Sequence, residues 1–209
     1  FQHVLHDPAA GSTAVITEVG ASRRHFDVGG RDVVVPFPQE DLSPAGHGAI
    51  LAPWPNRLAD GAYSFDGVDY QVPITEPARS TALHGLVMHE RWSLASLTTS
   101  EAVLTLRTVP IAGYPWPLLL TARYALRGAD LAITVSATNL GATDAPYGIG
   151  FHPWLSPGEG GLDAATLRLD ATRWVRPDDR LLPAEVADLP EAFDFRSERV
   201  VGDTDLDDA

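Results

Sequence analysis

His152 lies in the run Pro146-Tyr147-Gly148-Ile149-Gly150-Phe151-His152-Pro153-Trp154-Leu155, whose other members are apolar or conformationally special. Histidine is the side chain whose ordinary charge change falls near neutral pH, which makes this residue type a candidate proton donor or acceptor. Pro153 fixes its own φ and drives His152 towards an extended backbone, so the ring is aimed rather than free. Taken alone, such a residue reads as a core histidine satisfied by one hydrogen bond. Its company elsewhere changes that reading. Pro53-Trp54-Pro55-Asn56-Arg57-Leu58-Ala59-Asp60-Gly61 is a loop stiffened by two prolines, and Arg57 offers a fixed fork of donors. Ala82-Leu83-His84-Gly85-Leu86 adds a second neutral-pH titrating group beside a glycine that permits close backbone approach. Leu206-Asp207-Asp208-Ala209 adds two carboxylates. Singly, Arg57 reads as a surface ion pair, His84 as a turn residue and the aspartates as a solvated tail.

Composition narrows the chemistry. All 15 basic residues are Arg and there is no Lys, which excludes Schiff-base catalysis and the Lys-containing phosphate loop. Cys is absent too, so disulfides, a Cys nucleophile and thiolate metal sites are excluded, in keeping with a cytoplasmic setting. A net charge of −13 opposes nucleic acid and anionic membrane, both of which need cationic surface. It otherwise serves solubility. A neutral small molecule is the natural partner. No apolar run approaches the ~20 residues of a membrane span, and the expectation is that no charged-then-apolar signal peptide precedes Phe1. Without an initiator Met, the N-terminus is expected to be processed or trimmed.

The elements that must position these residues are strands. Gly and Pro number 18 and 17 and punctuate the chain throughout, and period-two alternation replaces helical periodicity. Leu118, Leu120, Ala122, Tyr124 and Leu126 share one face of a strand; Leu131, Ile133, Val135 and Ala137 share one face of the next. Arg127-Gly128-Ala129-Asp130 joins them as a hairpin. Tyr63 and Phe65 lead into Asp66-Gly67, and Val68, Tyr70 and Val72 lead out, which is the strongest short-range hairpin signal. Further strands are predicted at 13–19, 31–36, 92–98, 102–109 and 165–170. Residues 177–199 read as a surface excursion. The pattern predicts an all-β, large antiparallel β-sandwich, formed as a single domain over 1–209 with no repeat and no linker.

The four clusters together resemble the aldose 1-epimerase (galactose mutarotase) family, from about residue 45 onward. The matching motifs are Asn56-Arg57-Leu58, then Gly61-Ala62-Tyr63 through Gly67 and Tyr70, then Leu83-His84-Gly85, then His152-Pro153-Trp154, and finally Asp207-Asp208. Their order and spacing are more specific than any one of them. Leu86 stands where the family has a second glycine, and Trp154 where Tyr is usual, which marks a divergent branch.

The resemblance implies the galactose mutarotase-like sandwich and interconversion of α and β anomers of a free aldohexose such as glucose or galactose. It implies no metal and no organic cofactor. By resemblance His152 is the general acid at the ring oxygen, and His84 assists beside it. Arg57, Asn56 and Asp207 bind hydroxyls, and Trp154 lies against the sugar, with Trp54 and Trp116 as further stacking candidates. The family's general base is a Glu downstream of the aspartate motif. The last of the nine Glu residues here, Glu198, precedes Asp207. The expectation is therefore that these 209 residues belong to a longer protein and form a sandwich incomplete at its C-terminal end.

Rival readings are a non-catalytic carbohydrate-binding homologue and a hexose-6-phosphate 1-epimerase, which would need an Arg cluster drawing on Arg79 and Arg91. A metal site built from His84, His89 and His152 lacks a standard ligand spacing. A glycosidase would need a placed carboxylate pair, which no pattern picks out.

Overall fold

Alternating apolar residues build two facing antiparallel sheets. The structure, a computed structural model, describes residues 1–206. The first sheet runs in order through β1 (Gln2–Asp7), β2 (Ser12–Thr17), β3 (Arg23–Val28) and β4 (Arg31–Asp32). Five short strands follow: β5 (Ile50–Leu51), β6 (Arg57–Ala59), β7 (Ala62–Phe65), β8 (Val68–Gln71) and β9 (Thr81–Leu83). The second sheet comprises β10 (Ser93–Leu97), β11 (Glu101–Arg107), β12 (Leu118–Arg127) and β13 (Asp130–Asn139), again in chain order. β14 (Gly150–Phe151) then returns to pair with β5.

The predicted face of β12 is the observed one, and that of β13 holds through Val135, while Ala137 is exposed. Leu118, Leu120, Ala122, Tyr124 and Leu126 of β12 are all buried. Register places Leu131, Ile133 and Val135 of β13 opposite Leu126, Tyr124 and Ala122. All of these except Leu118 meet Leu5, Ala14, Ile16 and Phe26 of the first sheet in one core. Polar ties pin the two layers at one end. Asp7 accepts from the Gly128 N–H at 2.9 Å, and the Ser12 hydroxyl donates to the Gly128 carbonyl at 2.6 Å. The backbone N–H of Gly128, followed by that of Ala10, holds the Asp7 carboxyl below its usual range. Deep in the core the Tyr124 hydroxyl donates to the Ala21 carbonyl. A smaller cluster of Val72, Ala82, Tyr114, Trp116 and Leu118 underlies the β7–β8 hairpin. That hairpin turns through Asp66 and Gly67 with φ of 51° and 75°, as the Asp-Gly signal requires.

By their contacts the residues form two compact units. One holds Phe1–Glu76 with Ser80–Ser156, and the other Pro77–Arg79 with the residues from Pro157 on. Within the second unit, a short helix, α1 (Gly161–Ala164), precedes β15 (Thr166–Leu167), β16 (Arg173–Pro177), β17 (Pro183–Asp188) and β18 (Arg199–Val200). β15 pairs with β18, and β16 with β17.

Three expectations are corrected. Residues 177–199 are largely exposed, as expected of a surface segment, but they are not irregular, because Pro183–Asp188 forms the second arm of a hairpin. Its turn is closed by Asp178, whose carboxylate accepts from the N–H groups of Arg180 and Leu182 at 2.8 and 2.9 Å, so no Asn-Gly or Asp-Gly announces it. The strand expected at 31–36 stops at Asp32, leaving a lone Val34–Leu155 bridge before Pro36 removes a donor. The one at 165–170 shrinks to two residues. β1 and β3 went unpredicted because their compositions, Gln-His-Val-Leu-His-Asp and Arg-Arg-His-Phe-Asp-Val, are dominated by polar residues.

Leu104 is fully buried between the sheets. Leu104→Ala is expected to destabilise the protein by about 2–5 kcal/mol in urea unfolding, while Val109→Ala, at an exposed site, changes stability by less than about 0.5 kcal/mol.

Candidate functional site

One stretch of backbone, residues 48–56, gathers the chemistry-bearing side chains. On one side β5 pairs with β14, with Gly150 opposite Leu51 and Phe151 opposite Ile50. The ladder continues into His152, whose N–H donates to the Ala49 carbonyl at 3.1 Å while its carbonyl accepts from Gly48 at 2.8 Å. On the other side Ala52 bridges to Gly85, and the Leu86 N–H donates to the Ala52 carbonyl at 2.7 Å. Gly85 has φ +77°, and a Cβ there would lie 2.1 Å from the Ala52 oxygen, so only glycine fits. The Ala52–Pro53 peptide is cis. Trp54 anchors the loop through an Nε1–H bond to the Ala82 carbonyl at 3.2 Å.

His84 and Asn56 hold each other. The His84 N–H donates to the Asn56 carbonyl at 2.9 Å, and the Asn56 N–H donates to His84 Nδ1 at 3.1 Å. Both residues have left-handed backbones, φ 62° and 56°. A backbone N–H can only donate, so this bond assigns the neutral ring's proton to Nε2. The rings of His84 and His152 lie 5.2 Å apart, edge to face at 85°. Burial, then repulsion from His152 and Arg57, pushes the His84 imidazole down to about 4; Glu76 opposes this. His84 is therefore neutral at pH 7 and meets a ligand as an N–H donor.

His152 is bonded differently. Its Nδ1 accepts from the indole Nε1–H of Trp154 at 3.1 Å. The Trp154 ring lies 4.1 Å from that of His47, tilted by 32°. His47 is a third imidazole that the sequence reading did not single out. Burial, and then His152, lower its basicity. Its only sequence signal is its place between Gly46 and Gly48, which have φ of 73° and 69°.

Arg57, on β6, forms a two-pronged ion pair with Glu76: Nε donates to Oε2 at 2.8 Å and Nη2 to Oε1 at 3.1 Å. Both side chains are largely buried, and the hydroxyl of Thr81 donates to the same Oε2 at 2.6 Å. Arg57 Nη1 donates to the side-chain oxygen of Asn56 at 3.2 Å. Register fixes the placement, because Arg57 faces Leu83, the residue before His84. Sequence reasoning missed Glu76, since Thr75-Glu76-Pro77 carries no motif.

The arrangement can therefore present two imidazole Nε2 atoms to one polar ligand, with the Arg57–Glu76 ion pair near His84. The family model described as Aldose 1-epimerase matches residues 2–209. This chain belongs to the aldose 1-epimerase family. It is 32% identical over 196 residues to the uncharacterized protein YihR of Escherichia coli K12, covering 93% of this chain and 64% of that protein. Among solved structures it resembles a GalM/aldose epimerase homologue from C. elegans, with TM-score 0.84 and 21% identity over 99% of this chain and 67% of that one. It also resembles galactose 1-epimerase from Lactobacillus acidophilus NCFM, with TM-score 0.82 and 22% identity over 96% and 62%. The galactose mutarotase-like sandwich expected of the family is the fold observed. The chain spans just under two thirds of the length of YihR.

Of the residues that aldose 1-epimerase motifs single out, the structure brings together His84, His152, Arg57, Asn56 and Trp154. Asp207 lies outside the described residues. Trp116 is buried among Phe65, Tyr70 and Tyr114, which removes it as a stacking surface. Trp54 packs against that same cluster. Trp154 remains 41% exposed. Arg91 is exposed with its Nε 3.9 Å from Glu18, and His89 is exposed. Among the described residues, no three His, Asp or Glu side chains are placed to hold a metal ion. No helix among them is long and apolar enough to cross a membrane.

The depressed basicity of His84 has a consequence for stability. As pH falls, an unfolded His takes up a proton near its ordinary value of 6.5, while folded His84 resists until about 4. The stability that neutral His84 contributes is complete above about pH 6.5 and is lost as pH falls towards 4. An NMR titration should find the His84 midpoint near pH 4, and His84→Asn should lose less stability than the parent between pH 7 and 4 in urea unfolding. A midpoint near 6.5 would refute the assignment.

Proposed function

We propose that the chain carries the histidine side of an aldose 1-epimerase site acting on a free aldohexose, glucose or galactose, in the cytoplasm. The observation that carries this reading is the His84–His152 pair, 5.2 Å apart, with each Nδ1 occupied and each Nε2 left for a ligand, beside the Arg57 guanidinium. A pyranose presents a ring oxygen flanked by hydroxyls, and donors converging from two rings suit that oxygen.

Ring opening moves two protons. A base takes the proton of the C1 hydroxyl, the bond from C1 to the ring oxygen breaks, and C1 becomes an aldehyde carbon. The ring oxygen gains a proton from the acid. Rotation about the C1–C2 bond and reversal of the same transfers give the other anomer. In this reading His152 meets the ring oxygen as proton donor and His84 gives it a second hydrogen bond. Arg57 and Asn56 bind hydroxyls, Asp207 binds hydroxyls on the far side, and Trp154 borders the sugar. No cofactor is called for.

The base in this reading is a carboxylate, and Glu76 does not fit the task. Both its oxygens are engaged, one by Arg57 and the other by Arg57 and Thr81. That observation supports a second reading, sugar binding without turnover. Polarimetry on freshly dissolved α-D-glucose and α-D-galactose, with saturation-transfer NMR for binding, separates the two. The enzyme reading expects mutarotation faster than the buffer rate and a loss of at least about 100-fold of that excess in His152→Asn. Binding with no acceleration would leave the second reading standing, and neither binding nor acceleration would defeat both. Glucose 6-phosphate, run alongside, tests the phosphorylated-sugar alternative.

A further inference from the structure

Trp154 carries a bond that gives it a task besides bordering a sugar. Its indole Nε1–H donates to His152 Nδ1 at 3.1 Å. The indole is itself held in place. Its ring lies 4.1 Å from that of His47, and its carbonyl accepts from the Val35 N–H at 2.9 Å. His47 is fixed in turn by a bond from its N–H to the Pro44 carbonyl at 2.9 Å and one from the Ser43 hydroxyl to its own carbonyl at 2.8 Å. The donor at Nδ1 is thus part of the frame.

An indole nitrogen donates and never accepts. The bond exists only while His152 Nδ1 carries no hydrogen. Of the three states open to an imidazole, the neutral ring with its proton on Nε2 satisfies this. The Nδ1–H tautomer and the imidazolium ion do not, since each sets an N–H against an N–H. The facing groups do not offset that conflict. His84, 5.2 Å away, has its own Nδ1 occupied by the Asn56 N–H, and the nearby guanidinium of Arg57 is a cation.

We propose that Trp154 is a positioning residue that fixes His152 as the neutral Nε2–H tautomer, so that a ligand oxygen meets two neutral imidazole donors rather than an imidazolium. This deepens the function proposed above and rests on it for the identity of the oxygen, but not for the state of the ring. Neutral imidazole can polarise an oxygen by hydrogen bonding alone. To give up the Nε2 proton outright, His152 would have to take another at Nδ1 or become an imidazolate. Nδ1 can be protonated only once the indole N–H has moved away. At the resting ring the contribution to the ring oxygen is a hydrogen bond from Nε2–H, and full transfer of that proton is balanced by a solvent proton taken up at Nδ1, which requires Trp154 to move aside first.

The test reads the tautomer directly. Long-range 1H–15N correlation spectra of 15N-histidine-labelled protein are recorded in mildly alkaline buffer, where imidazole is neutral. In the parent, His152 should show a bare Nδ1 and a protonated Nε2. Trp154→Phe keeps an aromatic ring and removes the donor, and the Nδ1–H fraction of His152 should rise several-fold. A parent spectrum dominated by Nδ1–H, or a tautomer ratio unchanged in Trp154→Phe, would overturn the proposal. A merely structural Trp154 would not shift the ratio. If the variant does not fold, the parent spectrum decides alone. No sugar or turnover enters the measurement, so its outcome is independent of the polarimetric one.

Discussion

Both histidines hang from one short run of backbone. Residues 48–52 are bonded on one side to His152 and on the other, through Ala52, to Gly85 and Leu86, and Asn56 closes on His84. A shift of this run would move both rings, and it has little freedom to shift. Ile50, Leu51 and Ala52 are buried, and Ile50 and Ala52 belong to the main core. The geometry of the pair is thus inherited from the packing between the sheets. Site precision and fold stability draw on the same residues, which is how a rigid scaffold places groups to within a fraction of an ångström.

Electrostatics then decides what each group can do. Two imidazoles and a guanidinium in close company would repel if all were charged. Burial and mutual repulsion keep His84 neutral, and Glu76 takes up the charge of Arg57 through a fork of two bonds. A partly buried cation is expensive without such a partner. The pairing also aims Arg57, leaving Nη1 on the Asn56 oxygen at the edge of the site. Glu76 is in this sense a structural counter-ion, and its engagement is why the proposed chemistry must find its base elsewhere.

The fold was legible where local pattern and tertiary demand agree. The alternation in 118–137 and the Asp66-Gly67 turn translate directly, because a half-buried strand enforces period two and the tight turn enforces positive φ. Strands rich in charged or polar residues, such as Arg23–Val28, were invisible because only Phe26 of that strand is fully buried. The site was legible for residues inside motifs. His84-Gly85 could be read because the close approach of Gly85 to Ala52 leaves a glycine in the sequence. Glu76 and His47 were not legible, since their roles come from long-range pairing across β6–β9 and from the stack on Trp154.

The substitution of Trp for Tyr after His152-Pro153 first read as a mark of divergence, and the structure gives it physical content. A phenol can donate or accept, so it can follow an imidazole through any protonation state. An indole can only donate. Placing one against Nδ1 of His152 holds the resting ring in a single neutral form, and any proton relay through Nδ1 must first displace the indole. Burial does the same to His84 by a different route, with a backbone N–H in place of the indole. Two independent devices thus converge on a pair of neutral donors, and such a pair selects an acceptor oxygen over a cation without attracting an anion strongly. That selectivity suits a neutral polyol oxygen in a protein whose net charge is −13.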